Sequence, residues 1–106
     1  MPLVSGTALL QKAHKHGYAV GAFSVDHINS IQAVLRISEK LESPVIIQTG
    51  QATLKQTKMS HLAAVAKEMA SEVMIPVALH LDHGTGLSQS IQAIRCGYTS
   101  LMFDGS

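Results

Sequence analysis

Short apolar runs alternate with longer stretches whose apolar residues recur at helical spacing. Ser5 precedes the first such stretch as an N-cap, and a helix is expected through about His16. His14, Lys15 and His16 suit the negative end of that helix, and Gly17 ends it. Tyr18 to Ser24 reads as a short buried strand. A second helix opens at Asp26 or its neighbours and runs to about Leu41, with Ile28, Ile31, Val34, Leu35 and Leu41 on its apolar side. Ser43-Pro44 breaks it, and Val45-Ile46-Ile47 is the next strand. Gly50 to Lys55 reads as a polar loop. From Lys58 to about Val73, the residues Met59, Leu62, Ala63, Ala66, Met69, Ala70 and Val73 form one continuous helical face. Pro76 introduces a strand over Val77–Leu81, Leu87–Arg95 a further helix closed by Gly97, and Thr99–Phe103 the last strand.

The resulting order, α–β–α–β–α–β–α–β, fits repeated crossover units on a parallel sheet. Sequential strand order is expected, with an open doubly wound sheet as the alternative. No linker or low-complexity tract divides residues 1–106, so they read as one unit. Asp26, Asp82 and Asp104 all follow expected strands, whereas Glu39, Glu42, Glu68 and Glu72 belong to expected helices. The short carboxylates therefore gather at one rim of the sheet. Helix capping is a sufficient alternative reason for Asp26. It explains Asp82 and Asp104 less well, because glycines soon follow them.

Composition narrows the classes. With 46% hydrophobic and 14% charged residues, the 106-residue chain is too apolar for disorder. No apolar stretch approaches the roughly 18 residues of a membrane span. The start lacks the basic and apolar regions of a signal peptide, and the single cysteine, Cys96, has no internal disulfide partner, so a cytoplasmic location is expected. A net charge of +1 and 4% aromatic residues argue against nucleic acid as a partner.

The chemistry concentrates in Pro76–Thr85. An apolar run ends in His80, Asp82 and His83, then Gly84. Strand alternation puts Ala78, His80 and Asp82 on one face and Val77, Leu79 and Leu81 on the other. His83, at the strand's end, can turn to the same rim. An imidazole beside a carboxylate suits a metal ligand with a neighbouring acid/base, or a hydrogen-bonded structural pair. Spacing alone leaves both open. His14, His16, His27 and His61 are expected at the surface or at helix ends.

Four segments carry a resemblance: Ala22-Phe23, Ser43 to Gln48, Val77 to Gly84 and Gly97 to Ser106. Together they resemble the amino-terminal part of class II aldolases, the zinc-dependent fructose-bisphosphate and tagatose-bisphosphate aldolases. The resemblance implies a (β/α)₈ TIM barrel, of which this chain covers about the first four strands. It implies a metal-dependent carbon–carbon lyase acting on a phosphorylated sugar in the cytoplasm, part of a homo-oligomer (dimer or tetramer) when full length. Asp82 matches the family's catalytic acid/base, His83 a ligand of the catalytic Zn²⁺, and Asp104 a ligand of an accessory divalent or monovalent metal ion. Gly50 falls at a substrate-contacting position where the family usually has serine, and Ser24 where asparagine is common. His80 matches a position inside the strand and is expected to be structural.

The resemblance also implies what is missing. A barrel of this type needs about 250 residues, and a catalytic zinc about three protein ligands, of which His83 is one. The phosphate-binding loops follow later in the family's chain. The chain alone is therefore expected to be inactive and to bind zinc weakly. It reads as a fragment of the enzyme, as a truncated product that pairs with another chain, or as a self-associating structural or metal-binding module.

Overall fold

The computed structural model describes residues 2–103. The elements are α1 (Gly6–His16), β1 (Gly21–Ser24), α2 (Ile28–Lys40), β2 (Val45–Thr49), α3 (Gln51–Gln56), α4 (Met59–Ser71), β3 (Val77–Gly84), α5 (Leu87–Cys96) and β4 (Ser100–Phe103). Among the described residues no helix is long and apolar enough to cross a membrane. Both caps of α1 and the end of α5 are those the sequence implies. Ser5 Oγ accepts the Ala8 amide proton at 3.0 Å, and Gly17 and Gly97 end α1 and α5 with φ of 73° and 104°, a region costly for other residues.

The four strands form one parallel sheet in the order β1-β2-β3-β4, with no reversal, so the doubly wound alternative is excluded. One face carries Val45, Ile47, Val77, Leu79 and Leu81 into the main core, against α2, α4 and α5 residues such as Ile31, Leu35, Leu62, Ala66 and Ala93. The other face meets α1 through Leu9, Ile46 and Ala78. The Val4 and Gly6 amides donate to the Val77 and Thr99 carbonyls at 2.8 and 3.1 Å, which ties the segment leading into α1 to the amino-terminal ends of β3 and β4. Crossover helices cover one face of the sheet and α1 the other.

Three expectations are corrected. Gly50–Lys55 is not a polar loop: α3 occupies most of it, capped by Gly50. Polarity disguised it, but Leu54 packs on the main core and Thr53 Oγ1 donates to the Val25 carbonyl at 3.3 Å. The first strand is shorter than Tyr18–Ser24 and is exposed rather than buried. Tyr18 closes the turn after α1, its amide bonded to the Ala13 carbonyl at 3.0 Å, and among the described residues β1 pairs with β2 alone. On α2, Ile31 and Leu35 are buried but Ile28 and Leu41 are exposed, because they flank the packed stripe at the two ends of the helix.

Candidate active-site rim

Parallel register stacks the α1-facing side of the sheet in layers. Ala22, Ile46 and Ala78 form the lowest, apolar layer. Directly above, Ser24 pairs with Gln48, Gln48 with His80, and His80 with Ser100, so a polar row crosses all four strands. Gln48 Nε2 donates to Ser24 Oγ at 3.0 Å. His80 Nδ1 and Ser100 Oγ are 2.7 Å apart. Burial of the imidazole holds the His80 pKa below its ordinary value, and the Asp82 carboxylate pulls it partly back. His80 is thus hydrogen-bonded within this row, and Gln48 and Ser100 were missed as members of the layer. The available signal was the two-residue alternation, which needs the inter-strand register before it aligns them.

Asp82 and His83 lie above this row, at the carboxyl end of β3. The strand does not stop at Leu81, as the sequence suggested, but runs to Gly84. Leu81 pairs with Leu101 and Gly84 with Phe103, three steps along β3 against two along β4, which is a one-residue bulge. His83 sits in the bulge with φ of 51°. In a regular strand, successive side chains point to opposite faces, so His83 would follow Leu79 and Leu81 toward the helices. The bulge turns it outward instead. Its imidazole is 60% exposed, with Nε2 3.7 Å from Asp82 Oδ2, while the Asp82 side chain is 25% exposed. Gly84 is required beside it: a Cβ there would lie 2.9 Å from the Met102 carbonyl oxygen.

The remaining candidates fall as follows. Ser24 reaches the rim at the end of β1, its hydroxyl occupied by Gln48. Gly50 is the N-cap of α3, and nothing lies within 4 Å of where a Cβ would stand, so the missing side chain leaves space there. Asp26 does not cap α2; His27 holds the cap position, and Asp26 Oδ1 accepts from the Ser30 hydroxyl at 3.1 Å. Asp104 lies outside the described residues. His14, His16, His27 and His61 are exposed, as expected. Among the described residues no group of three or more His, Cys, Asp or Glu side chains converges to hold a metal ion. His83 and Asp82 offer one imidazole nitrogen and one carboxylate, a donor chemistry that fits zinc but fills only part of its usual set.

Comparison with known proteins gives a consistent result. Residues 4–106 match the family model described as fructose-bisphosphate aldolase class-II. The chain is 41% identical over 106 residues to a sulfofructosephosphate aldolase of Alkalicoccus urumqiensis, covering 100% of this chain and 37% of that protein. It is 38% identical over 104 residues to the fructose-bisphosphate aldolase of Thermus caldophilus, covering 98% of this chain and 34% of that protein. Among solved structures, the YdjI aldolase of Escherichia coli K12 superposes with a TM-score of 0.90 at 29% identity, over 98% of this chain and 40% of that one. The fructose-bisphosphate aldolase of Campylobacter jejuni gives 0.78 at 25% identity, over 99% and 39%. The chain spans between a third and two fifths of the length of these proteins.

Proposed function

The chain belongs to the class II fructose-bisphosphate aldolase family, and from that premise we propose that it supplies the acid/base and one zinc ligand of a metal-dependent aldolase. The reaction is reversible cleavage of a ketose bisphosphate, such as fructose or tagatose 1,6-bisphosphate, to dihydroxyacetone phosphate and glyceraldehyde 3-phosphate. The observation that supports it is the bulge at the carboxyl end of β3, which sets the Asp82 carboxylate and the exposed His83 imidazole side by side, 3.7 Å apart.

His83, with ligands from outside the described residues, would hold the zinc, which when bound supplies a Lewis acid for the negative charge developing on the substrate. Asp82 takes the proton from the C4 hydroxyl during cleavage and returns it during condensation. Its side chain is 25% exposed, partly screened from water yet open enough for a substrate hydroxyl to reach. His80, held by Ser100, lies in the row beneath it, where the Asp82 charge raises the His80 pKa against the effect of burial. Asp104 would serve an accessory cation. Gly50 and Ser24 mark the floor of the substrate position, and the space at Gly50 admits a bulkier or differently charged substituent than a serine would. One relative is named for sulfofructosephosphate and another for fructose bisphosphate, so the sulfonated ketose phosphate is the competing substrate. The complete enzyme is expected to be a cytoplasmic homo-oligomer, a dimer or tetramer.

The test is made in a complete barrel carrying these residues. Asp82→Ala lowers cleavage by about 10²–10⁴-fold while zinc content is retained, and His83→Ala loses zinc. Zinc and activity falling together in Asp82→Ala would refute the separate roles.

A second reading, a self-associating module, is supported by the open edges. Among the described residues β1 and β4 each pair on one side only, and Phe23, Met102 and Phe103 are exposed there. Zinc content and bisphosphate cleavage measured on size-separated monomer and oligomer of the 106-residue chain distinguish the two. The fragment reading expects weak zinc binding and no turnover in either fraction. Turnover in the oligomer alone favours the module.

A further inference from the structure

A non-glycine residue at positive φ persists only where its surroundings hold it there. His83, at 51°, is in that position, so something must fix the backbone around it. Two glutamines far apart in sequence do so. Gln51, the first residue of α3, donates from Nε2 to the His83 carbonyl at 3.0 Å and to Gln89 Oε1 at 2.9 Å. Gln89, in the first turn of α5, donates back from Nε2 to Gln51 Oε1 at 2.8 Å. Gln89 Oε1 also accepts the Thr85 amide proton at 2.9 Å and the Thr85 hydroxyl at 3.2 Å. Backbone groups settle both amide orientations: a carbonyl only accepts and an amide N–H only donates. The bulge is therefore grasped on both sides, at His83 and at Thr85, by a reciprocal amide pair that also joins α3 to α5.

We propose that Gln51 and Gln89 are positioning residues for His83, bracing the bulge so that the imidazole is presented at the rim in one orientation. The proposal rests on the reading of His83 as a metal ligand for its purpose, but not for its geometry. The two side chains have unequal roles. Gln51 acts as a donor to the His83 carbonyl, and Gln89 chiefly as an acceptor for Thr85 and Gln51. Isosteric charge variants separate these roles from mere space-filling. Gln51→Glu keeps the shape but turns a carboxylate oxygen toward the His83 carbonyl and Gln89 Oε1, so both donations are lost. Gln89→Glu keeps the acceptor contacts to Thr85 and Gln51 Nε2, loses the return bond to Gln51 and sets a carboxylate oxygen against Gln51 Oε1, one repulsive contact where Gln51→Glu makes two.

The experiment uses the ¹⁵N,¹³C-labelled full chain. Amide exchange of Thr85 and the backbone shifts of His83 report the brace, and titration with Zn²⁺ alone reports its consequence. In Gln51→Glu the His83 carbonyl and Gln89 Oε1 lose their donor, so the His83 shifts are expected to move toward extended values and zinc affinity to fall; Thr85, whose acceptor Gln89 Oε1 is no longer held by Gln51, is expected to exchange faster by at most about tenfold, the scale of one hydrogen bond. Gln89→Glu is expected to keep the Thr85 protection and to move the His83 shifts and the zinc affinity less than Gln51→Glu does. Wild-type behaviour of both variants overturns the proposal, as does a larger change in Gln89→Glu than in Gln51→Glu. Should Gln51→Glu fail to fold, the wild type decides. A Thr85 amide exchanging as freely as in an unstructured peptide overturns the brace, and one protected like the β3 core upholds it. Loss of order at His83 with unchanged zinc affinity would uphold the brace and remove His83 from the metal set.

Discussion

Thr49 and Tyr98 offer the sharpest measurable test of how the sheet is held together beneath the rim. Their hydroxyl oxygens are 2.7 Å apart, and the residues are 0% and 6% exposed, so neither hydroxyl has water to fall back on. Tyr98→Phe leaves the ring and its packing in place and removes only the oxygen. The Thr49 hydroxyl is then buried without its partner, which costs about 1–3 kcal/mol. In a domain of this size stability totals about 5–15 kcal/mol, and each kcal/mol shifts Tm by about 4–8 °C. Thr49→Val strands the phenol instead and carries a similar cost. In Tyr98→Phe/Thr49→Val both polar atoms are gone and the shapes are kept, so the double variant recovers much of the loss. Urea titration of the four proteins measures this, with the slope m unchanged across the set. A Tyr98→Phe cost below about 0.5 kcal/mol, or a double variant as unstable as the two single costs added, would refute the reasoning. The same pair predicts an alkaline limit. Burial raises the Tyr98 pKa above 10.0, with the bond to Thr49 opposing and Cys96 adding to the rise. Ionisation thus favours the unfolded chain: this contribution is fully present below pH 10 and lost as pH climbs above it. Tyr98→Phe lacks that loss.

Three further outcomes follow from the layers around His83. Gly6→Ala places a Cβ 2.6 Å from Ser100 Oγ, so Ser100 must shift and its contact with His80 must change; a destabilisation of about 1–3 kcal/mol is expected together with moved His80 ring resonances, and an unmoved ring refutes it. Gly84→Ala drives a Cβ to 2.9 Å from the Met102 carbonyl oxygen, and since backbone yields less readily than a side chain, the bulge pairing should open; an unchanged melting temperature with unaltered amide protection at Phe103 would contradict this. His80 should titrate below 6.5 because it is buried, with Asp82 opposing. The neutral form is therefore favoured by folding, and this stability is present above pH 6.5 and lost as pH falls below it. Asp82→Asn should lower the NMR titration midpoint further, and a rise would show that Asp82 does not act on His80 through its charge.

The sequence by itself determined the main helices and strands, a parallel sheet, and the placement of Asp82 and His83 at its carboxyl rim; the choice of sequential over doubly wound strand order came from the structure. Those features rest on local periods: an apolar run too short to be a helix, the α4 face from Met59 to Ala70, glycines at positive φ after α1 and α5. Such signals are carried by neighbours within a turn or two. What the tertiary structure decided depends on residues distant in the chain. The row Ser24–Gln48–His80–Ser100 exists only once parallel register aligns four strands. α3 is helical because Leu54 and Thr53 find partners on the core and at Val25, not because its own pattern demands it. The bulge at His83 follows from how β4 pairs against β3, and its brace joins Gln51 to Gln89 across 38 residues. Alternation states which side of a strand a residue faces, but register, set by how whole helices pack between strands, states what it meets there.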